Sequence, residues 1–218
     1  MQFAKLLITT TCGFICCACS VVPSINMKET QIHYQAARNF ETQGDFVSAR
    51  EQYWKALIAA RAGGAEPGAI SMLTYEFGRT TGYACHLEES ENSLVESLKL
   101  EESLPQRNSR NIGIRRFELA RLMYDQKRYK DAANYYSKAL AEVEQNNGAK
   151  SDPIAFAGIY EEYADALAQS GENNSAQEAL RKAKTLREAN PDRKAEFKPV
   201  RYKCPTTPLT RQSSGTGR

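Results

Sequence analysis

The sequence predicts an all-α solenoid built of about four helix pairs. Three observations favour this fold class. A pattern of small and aromatic residues recurs four times at helical spacing, and clusters of Gly, Pro and Asn separate the copies. The composition, 25% charged and 41% hydrophobic, suits a helical domain without long apolar runs. Because such repeats bury their core between neighbours, we expect no single repeat to be stable alone.

Small and aromatic residues mark the helix pairs. The clearest copy consists of Gly44, Asp45, Phe46, Ala49, Tyr53, Ala56 and Leu57, preceded by Ala37 one helix earlier. Small residues three and four positions apart lie on one face of a helix, where they allow a second helix to approach closely. The aromatic ring of Tyr53 is placed to fill the gap between neighbours. The pattern therefore predicts two helices joined by a short turn.

Three further copies keep the same register. Their marker residues are Gly78, Ser90, Leu94, Ser97 and Leu98 in the second copy, Ala120, Ala132, Tyr136, Ala139 and Leu140 in the third, and Ala164, Ala176, Leu180 and Ala183 in the fourth. The turn residues of the four copies are Gly44, Cys85, Lys127 and Gly171. This shared register predicts four units of the same construction.

The pattern resembles the tetratricopeptide repeat (TPR) over about residues 30–190. The resemblance implies a right-handed solenoid of helix pairs, with repeats at about 30–63, 71–104, 113–146 and 157–190. The turn residues are 41, 42 and 44 positions apart, whereas the family repeat has about 34 residues. Clusters of Gly, Pro and Asn between the copies therefore predict long inter-repeat loops or extended helix ends.

The amino terminus has the composition of an export signal. Lys5 supplies a positive charge, and an apolar stretch of 13 residues runs from Leu6 to Ala18. A transmembrane helix needs about 20 apolar residues, so a signal peptide is favoured over a membrane span. We assign residues 1–19 to a signal peptide and residues 20–29 to a short linker.

Cys19 and the residues before it resemble the lipobox of bacterial lipoproteins, although that family usually has Leu where Cys16 stands. The resemblance implies that Cys19 becomes the first mature residue and carries a lipid anchor, and Ser20 after it is compatible with the outer membrane. Several acyl chains on one cysteine give firm anchoring. The alternative is cleavage after Ser20, which produces a soluble periplasmic or secreted protein.

Export changes the expected chemistry of the cysteines. Six are present, four of them within the first 19 residues. The remaining two, Cys85 and Cys204, are expected to pair in an oxidising compartment. A bridge between them would fold the tail back over the stack and contribute about 4 to 5 kcal/mol in the chain-entropy model. The alternative is two separate thiols that lie too far apart to pair.

The composition shifts at Pro191. Residues 191–218 hold seven basic and two acidic residues, a net charge of +5 within a chain of net charge +3. Pro, Ser and Gly are frequent there, which is typical of a disordered segment. We predict a basic, disordered tail with a solvated end. Export argues against nucleic acid as its partner.

The TPR resemblance also implies that the first helix of each repeat lines a concave groove. Tyr34, Tyr75 and Phe117 occupy one equivalent position there, and Arg38, Arg79 and Arg121 lie one helical turn later. Arg suits carboxylates and aromatic rings offer flat apolar area, so we predict that these six residues bind an extended or helical segment of a partner. The alternative is that they stack across repeats, with Glu161 and Asp165 paired to Arg121.

Catalysis is not expected. His33 and His86 lie in different repeats, and the adjacent Cys85 and His86 lack metal-ligand spacing. A nucleophile at Cys85 would lose its thiol in the proposed disulfide, and no Gly-rich loop accompanies it. The glutamate pairs at 88–89, 101–102 and 161–162 are typical of solvated helix faces. We therefore predict no catalytic site, no metal and no cofactor.

These observations favour a non-catalytic scaffold or adaptor of the cell envelope. Lipoproteins with this repeat assist outer-membrane protein assembly, secretin assembly and secretion, and the resemblance implies a function of that class. The expected partners are other envelope proteins and, through Cys19, the outer membrane. One alternative is a soluble periplasmic or secreted chaperone or accessory factor. Another is a purely structural spacer.

Overall fold

Eight helices account for most of the described chain. The computed structural model describes residues 18–145, 150–195 and 199–204, with side chains from residue 25 onwards. The helices are α1 (Ala18–Thr42), α2 (Phe46–Ala62), α3 (Pro67–Tyr83), α4 (Leu87–Glu102), α5 (Ser109–Asp125), α6 (Tyr129–Glu144), α7 (Pro153–Gln169) and α8 (Asn173–Glu188). Consecutive helices form four antiparallel pairs that stack in chain order. The predicted all-α architecture is confirmed, and the described residues contain no strand.

In each helix pair, the turn between the two helices contains one residue with a left-handed backbone conformation. These residues are Gly44 (φ 76°), Cys85 (φ 66°), Lys127 (φ 61°) and Gly171 (φ 88°), the four turn positions of the repeat register. The N–H of Asp45 donates to the Phe40 carbonyl oxygen across the first turn, and the other three turns have the equivalent bond. This Schellman arrangement satisfies carbonyl groups at the end of each first helix. Cys85 and Lys127 adopt it at a cost of about 1–2 kcal/mol that Gly avoids.

Caps and prolines determine where the inner helices begin. Pro67 and Pro153 stand at the starts of α3 and α7, where the missing N–H group has no helical partner to lose. The side chain of Asn108 accepts a hydrogen bond from the Asn111 N–H at 3.1 Å and thereby caps α5. Helices α3, α5 and α7 each begin four residues before the predicted start of their repeat. Part of the extra repeat length therefore lies in extended helix ends.

The amino-terminal end of α1 corrects one boundary. Residues 20–29, predicted as a linker, are helical and continuous with α1, so that prediction is wrong. Asn26 and Met27 contact the end of α2, because a Cβ atom on Gly63 would lie 3.1 Å from Asn26 Cβ and 3.3 Å from Met27 Sδ. This packing supports the first helix beyond the predicted repeat. The predicted signal segment falls largely on residues 1–17, outside the described residues.

The core lies within each helix pair and between neighbouring pairs. One apolar cluster is continuous from α4 to α8, and smaller clusters join α1, α2 and α3. The alanines at the helix crossings, which include Ala37, Ala49, Ala120 and Ala132, are fully buried. Tyr53 and Tyr136 are fully buried between them. Small residues therefore bring the helices together, and the two aromatic rings fill the spaces that remain.

The basic tail is ordered in part. Residues 199–204, which we call the strap, pack against the second and third pairs, and Tyr202 is only 4% exposed. The prediction of a disordered tail is wrong for the strap because Arg201, Tyr202 and Cys204 find partners on α3, α5 and the turn after α3. Residues 196–198 and 205–218 lie outside the described residues.

Candidate peptide-binding surface

The six predicted partner-binding residues share the side of the solenoid formed by α1, α3, α5 and α7, which we call the inner face. They differ widely in exposure along it. Arg38 is exposed, and its guanidinium donates to the Tyr34 hydroxyl one turn earlier at 3.4 Å. Of the three predicted aromatic–arginine pairs, this one keeps its guanidinium open to solvent. It stands at the amino-terminal end of the stack.

Arg79, in the second pair, is engaged within the fold. Its guanidinium lies 2.5 Å from Glu41 of α1 and 2.5 Å from Glu76 on its own helix. It also lies over the rings of Tyr75 and Tyr83, at 6.0 and 5.6 Å from their centroids. Burial raises the pKa of Glu41, but the hydrogen bond and charge of Arg79 outweigh burial, so this pKa ends below its usual value. Arg79 therefore joins α1 to α3 and presents no free cation.

The third predicted pair is buried. Phe117 is 6% exposed and Arg121 4% exposed. The ring of Phe117 packs near Tyr136, and Arg121 Nε donates to Glu162 of α7 at 3.0 Å. Glu118 faces the same guanidinium from one turn earlier at 3.8 Å. The prediction that this pair lines an open groove with the other two is wrong, because α6 and α7 cover Phe117 and Arg121.

The acidic residues of the fourth repeat have partners of their own. Glu161 accepts two hydrogen bonds from Arg187, at 2.7 and 2.8 Å. Asp165 accepts a hydrogen bond from the Tyr124 hydroxyl. Burial and this hydrogen bond raise the pKa of Tyr124 to about 12. In the alternative that these residues stabilise the stack, the pairing of Arg121 with Glu161 and Asp165 is wrong, since Glu162 takes that role. Arg79 and Arg121 do form ion pairs with neighbouring repeats, as that alternative expects.

An open hollow lies between the amino-terminal halves of α3 and α5. Its volume is about 830 Å³. Met72 and Ile114 line it and are 39% and 38% exposed, and Leu104 of the connecting segment adds a third apolar side chain. Glu66 and Glu76 supply negative charge at the same surface. A concave apolar surface beside a few charged groups is typical of an interaction site. We call this surface the hollow.

A buried ion pair lies beside the hollow. The side chains of Arg115 and Glu101 are 5% and 2% exposed, and their charged atoms approach to 3.0 Å. Arg115 also donates to Ser97 Oγ at 2.8 Å and to Ser71 Oγ at 2.9 Å. Burial lowers the pKa of Arg115, and the charge of Glu101 acts in the opposite direction. The prediction that Glu101 belongs to a solvated face is wrong, because its partner lies on another helix.

The strap lies on the inner face, beyond the carboxyl-terminal side of the hollow. Val200 borders a depression of about 390 Å³ that Arg38, Glu41 and Arg79 also line. From there the strap crosses the carboxyl-terminal halves of α3 and α5. A segment of the chain's own tail therefore lies across part of the surface predicted to receive a partner.

The strap is held by a disulfide, by an ion pair between Arg201 and Asp125, and by hydrogen bonds of Tyr202. A disulfide joins Cys204 to Cys85, with Cα atoms 5.4 Å apart, and these are the two cysteines named as candidates from the sequence. The Tyr202 N–H donates to Asp125 at 2.8 Å, and the Tyr202 hydroxyl donates to Glu118 at 2.5 Å. Sequence reasoning missed Asp125 and Glu118. No local signal marks them, since each meets a residue more than 70 positions away.

Comparison with known proteins establishes the fold. No protein-family model and no curated protein matches the chain. Among solved structures, BtubC (BKLC) from P. vanneervenii is similar with a TM-score of 0.69 and 19% identity, over 78% of this chain and 68% of that one. YrrB, a TPR protein with an unusual peptide-binding site, matches with a TM-score of 0.53 and 20% identity, over 75% of this chain and 70% of its own. This chain has the TPR fold.

A third TPR-like match is a peptide complex. The Rap conjugation gene regulator of plasmid pLS20, solved with the Phr* peptide, has a TM-score of 0.61 and 18% identity. The match covers 81% of this chain and 47% of the regulator, so this chain spans about half its length.

Within the described residues, no helix has the length and apolarity to cross a membrane, and no cluster of His, Cys, Asp and Glu is suited to hold a metal ion.

Proposed function

We propose that this protein is a non-catalytic envelope scaffold that binds an extended segment of a partner protein on the inner face of its TPR solenoid. The observation that carries this proposal is the strap, a segment without helix or strand that is bound across the inner helices through both a backbone N–H and its side chains. A surface that accepts one such segment has the shape and donor–acceptor chemistry to accept another. Peptide complexes and peptide sites in proteins of the same fold support this use of the fold.

The hollow is the part of the inner face that is open to a partner. Met72 and Ile114 expose apolar area there, and the buried ion pair of Arg115 and Glu101 beside them joins α5 to α4. Burying one partner side chain the size of Leu would contribute about 1.5–3 kcal/mol. Glu76 is already paired with Arg79, and the exposed Glu66 favours a segment whose charged residues are basic. We therefore assign the partner an apolar anchor residue flanked by positive charge, which revises the predicted acidic partner.

Anchoring belongs to the same proposal. We propose that Cys19 is acylated and holds the protein on the periplasmic face of the outer membrane. Because α1 begins at Ala18, an acyl chain on Cys19 would join the first turn of the solenoid with little intervening chain. The membrane would then constrain the orientation of the inner face. Mass spectrometry of the mature amino terminus tests this: a lipid-modified Cys19 is expected, whereas a free terminus near Val21 would identify the soluble periplasmic or secreted alternative.

The binding proposal is tested by crosslinking and pulldown from envelope membranes. Charge reversal at Arg79 and Arg121 is unsuitable, because both form ion pairs within the fold. Met72→Asp and Ile114→Asp change exposed side chains in the hollow and should abolish capture of the partner. Matched controls are Ile58→Asp and Leu180→Asp, which change side chains that are 46% and 50% exposed on α2 and α8. Equal capture by all four variants would exclude the hollow as the binding surface.

A further inference from the structure

We infer that the surface under the strap is a second peptide site, one that accepts a partner segment with an arginine followed by an aromatic residue. In the oxidised protein the Cys85–Cys204 disulfide keeps the chain's own Arg201 and Tyr202 in this site. We call the surface the strap site; it is formed by Gly82, Tyr83, Glu118, Tyr124 and Asp125. The inference does not depend on partner binding in the hollow.

The strap site has a subsite for arginine. Arg201 Nε donates to both carboxylate oxygens of Asp125, at 3.1 and 3.2 Å, and a terminal nitrogen of the guanidinium pairs with the same group. The guanidinium also lies 4.7 Å from the ring centroid of Tyr124. A planar guanidinium suits this combination of a carboxylate and an aromatic face, whereas a lysine ammonium can lie over the ring but cannot form the forked pair with the carboxylate. The subsite therefore selects arginine.

The carboxylate of Asp125 also accepts a hydrogen bond from the peptide backbone. The Tyr202 N–H donates to Asp125 Oδ2 at 2.8 Å. One aspartate therefore fixes both the arginine side chain and the N–H of the residue after it. This geometry requires the arginine and the aromatic residue to be adjacent, in that order. It gives the site a sequence requirement that a charged patch alone would lack.

The aromatic subsite is deep and shaped for a ring. Tyr202 is 4% exposed, its ring centroid lies 4.7 Å from that of Tyr83, and its hydroxyl donates to Glu118. Gly82 forms the wall: a Cβ atom there would lie 2.4 Å from Tyr202 Cε1. The absence of a side chain at this position makes room for the ring. Tyr is preferred over Phe, because Glu118 is itself only 3% exposed and accepts a hydrogen bond from the hydroxyl.

The remainder of the strap adds little to its own binding. Val200 is 45% exposed and Lys203 is exposed, so Arg201 and Tyr202 make most of the noncovalent contact with the strap site. A partner that carries this pair could reproduce the contacts without the rest of the tail. The complementarity of charge specifies such a partner, since Asp125 and Glu118 are both acidic and both receive donors from the strap.

The disulfide decides which segment occupies the site. Cys85 and Cys204 are partly exposed, so a dithiol reductant can reach the bond. Reduction transfers two electrons and two protons to the pair, gives two thiols and converts the dithiol to a disulfide. The strap then remains tethered at an effective concentration of millimolar order, and a partner displaces it by competition. In the oxidised chain the bond prevents this exchange.

Peptide binding to a chain with an emptied site is the direct test. The probe is a fluorescent synthetic peptide with the sequence of residues 199–203, measured by anisotropy. The full chain with Cys85→Ser, Cys204→Ser, Arg201→Ala and Tyr202→Ala, which we call the opened variant, should bind the peptide saturably, and the oxidised native chain should not. Adding Asp125→Asn to the opened variant should weaken binding at least about tenfold, since charge-assisted hydrogen bonds to arginine are lost.

Controls separate this site from the hollow and from misfolding. A peptide of the same composition in scrambled order should not bind, and Met72→Asp in the opened variant should leave peptide binding unchanged. Circular dichroism establishes that each variant is folded. Failure of a folded opened variant to bind, or equal binding of the scrambled peptide, would overturn the inference. Loss of partner capture in the hollow assay would not affect this result.

A second measurement leaves Arg201 and Tyr202 of the strap unchanged. In the Cys204→Ser chain, Cys85 is a free thiol. A peptide with the natural sequence of residues 199–204, whose cysteine carries glutathione as a mixed disulfide, should exchange with Cys85 and release glutathione faster than the scrambled peptide in the same form does. Mass spectrometry gives both rates. Equal rates would contradict the assignment. A Cys85→Ser chain whose Cys204 carries glutathione in the same way can compete with the peptide for this exchange. If Cys85 links only to that chain and forms no peptide adduct, the occupant is a second copy, which would also overturn the inference.

Discussion

The two ends of α3 and α5 differ in what satisfies their buried charges. At the amino-terminal ends, Arg115 and Glu101 pair with each other, and the adjoining hollow stays open. At the carboxyl-terminal ends, Glu118 and Asp125 receive donors from the strap, which covers the surface. A buried charge is costly unless it is paired and hydrogen-bonded. The pair of Arg115 and Glu101 is formed by the helices alone, and its surface remains open. Glu118 has helix partners in Tyr83 and Arg121, but it also receives a donor from the strap, and there the surface is covered.

Breaking the ion pair of Arg115 and Glu101 beside the hollow should have the largest effect on stability. Glu101→Ala leaves the guanidinium of Arg115 buried without its carboxylate and should lower the free energy of unfolding by about 3–5 kcal/mol. Urea denaturation measures the change. The double variant with Arg115→Met should recover much of this loss, because no unpaired charge then remains. A loss below about 1 kcal/mol for the single variant would mean that water reaches the pair.

Removing the disulfide tests the covered end. Cys85→Ser with Cys204→Ser should lower the free energy of unfolding by about 2–5 kcal/mol, because the bridge closes a loop between residues 119 positions apart. Thermal unfolding with and without dithiothreitol measures this effect. The native chain should lose a similar amount on reduction, and the double variant should not respond. A native chain that is insensitive to reductant would contradict the prediction.

The close contact at Gly82 sharpens the comparison. Gly82→Ala places a methyl group where Tyr202 Cε1 and Ser90 Oγ lie, at 2.4 and 2.7 Å from the ideal Cβ position, and should cost about 1–3 kcal/mol. Gly158→Ala on α7 is the matched control, since nothing lies within 4 Å of its Cβ position, and it should stabilise the helix by up to about 1 kcal/mol. Equal effects in denaturant titrations would show that the strap does not constrain Gly82.

The smallest predicted effect is on the pH dependence of stability, through the ion pair of Glu41 and Arg79 that joins α1 to α3. The folded-state pKa of Glu41 lies below its ordinary value because the favourable pairing with Arg79 outweighs burial. Its stabilising contribution is therefore present above the unfolded pKa of about 4.3 and is lost as the pH falls through the folded pKa. Glu41→Gln should lower stability by under about 1 kcal/mol at pH 7, and its effect should diminish as the pH falls through the folded-state pKa of Glu41. A melting-temperature difference that is independent of pH would contradict this.

The repeat positions were predictable because they depend on local conformation. Gly44, Cys85, Lys127 and Gly171 share one place in the register, and each takes the left-handed backbone that ends a helix. The exposure of the predicted binding residues was not predictable in this way. Phe117 stands in the same register as Tyr34, yet α6 of its own repeat and α7 of the next repeat cover it. Position within a repeat gives the direction of a side chain, whereas neighbouring repeats decide whether it reaches solvent.

The sequence by itself determined the helix pairs, their order and the candidate cysteine partners, because helical periodicity and turn residues act over a few positions. Only the tertiary structure decided which arginines are free, that the hollow is open and that the strap is bound. Arg79 meets Glu41, Arg115 meets Glu101 and Tyr202 meets Glu118 across different helices or distant segments. Such pairings depend on how helices stack in space, and the energy of a buried charge is set only when that stacking places its partner.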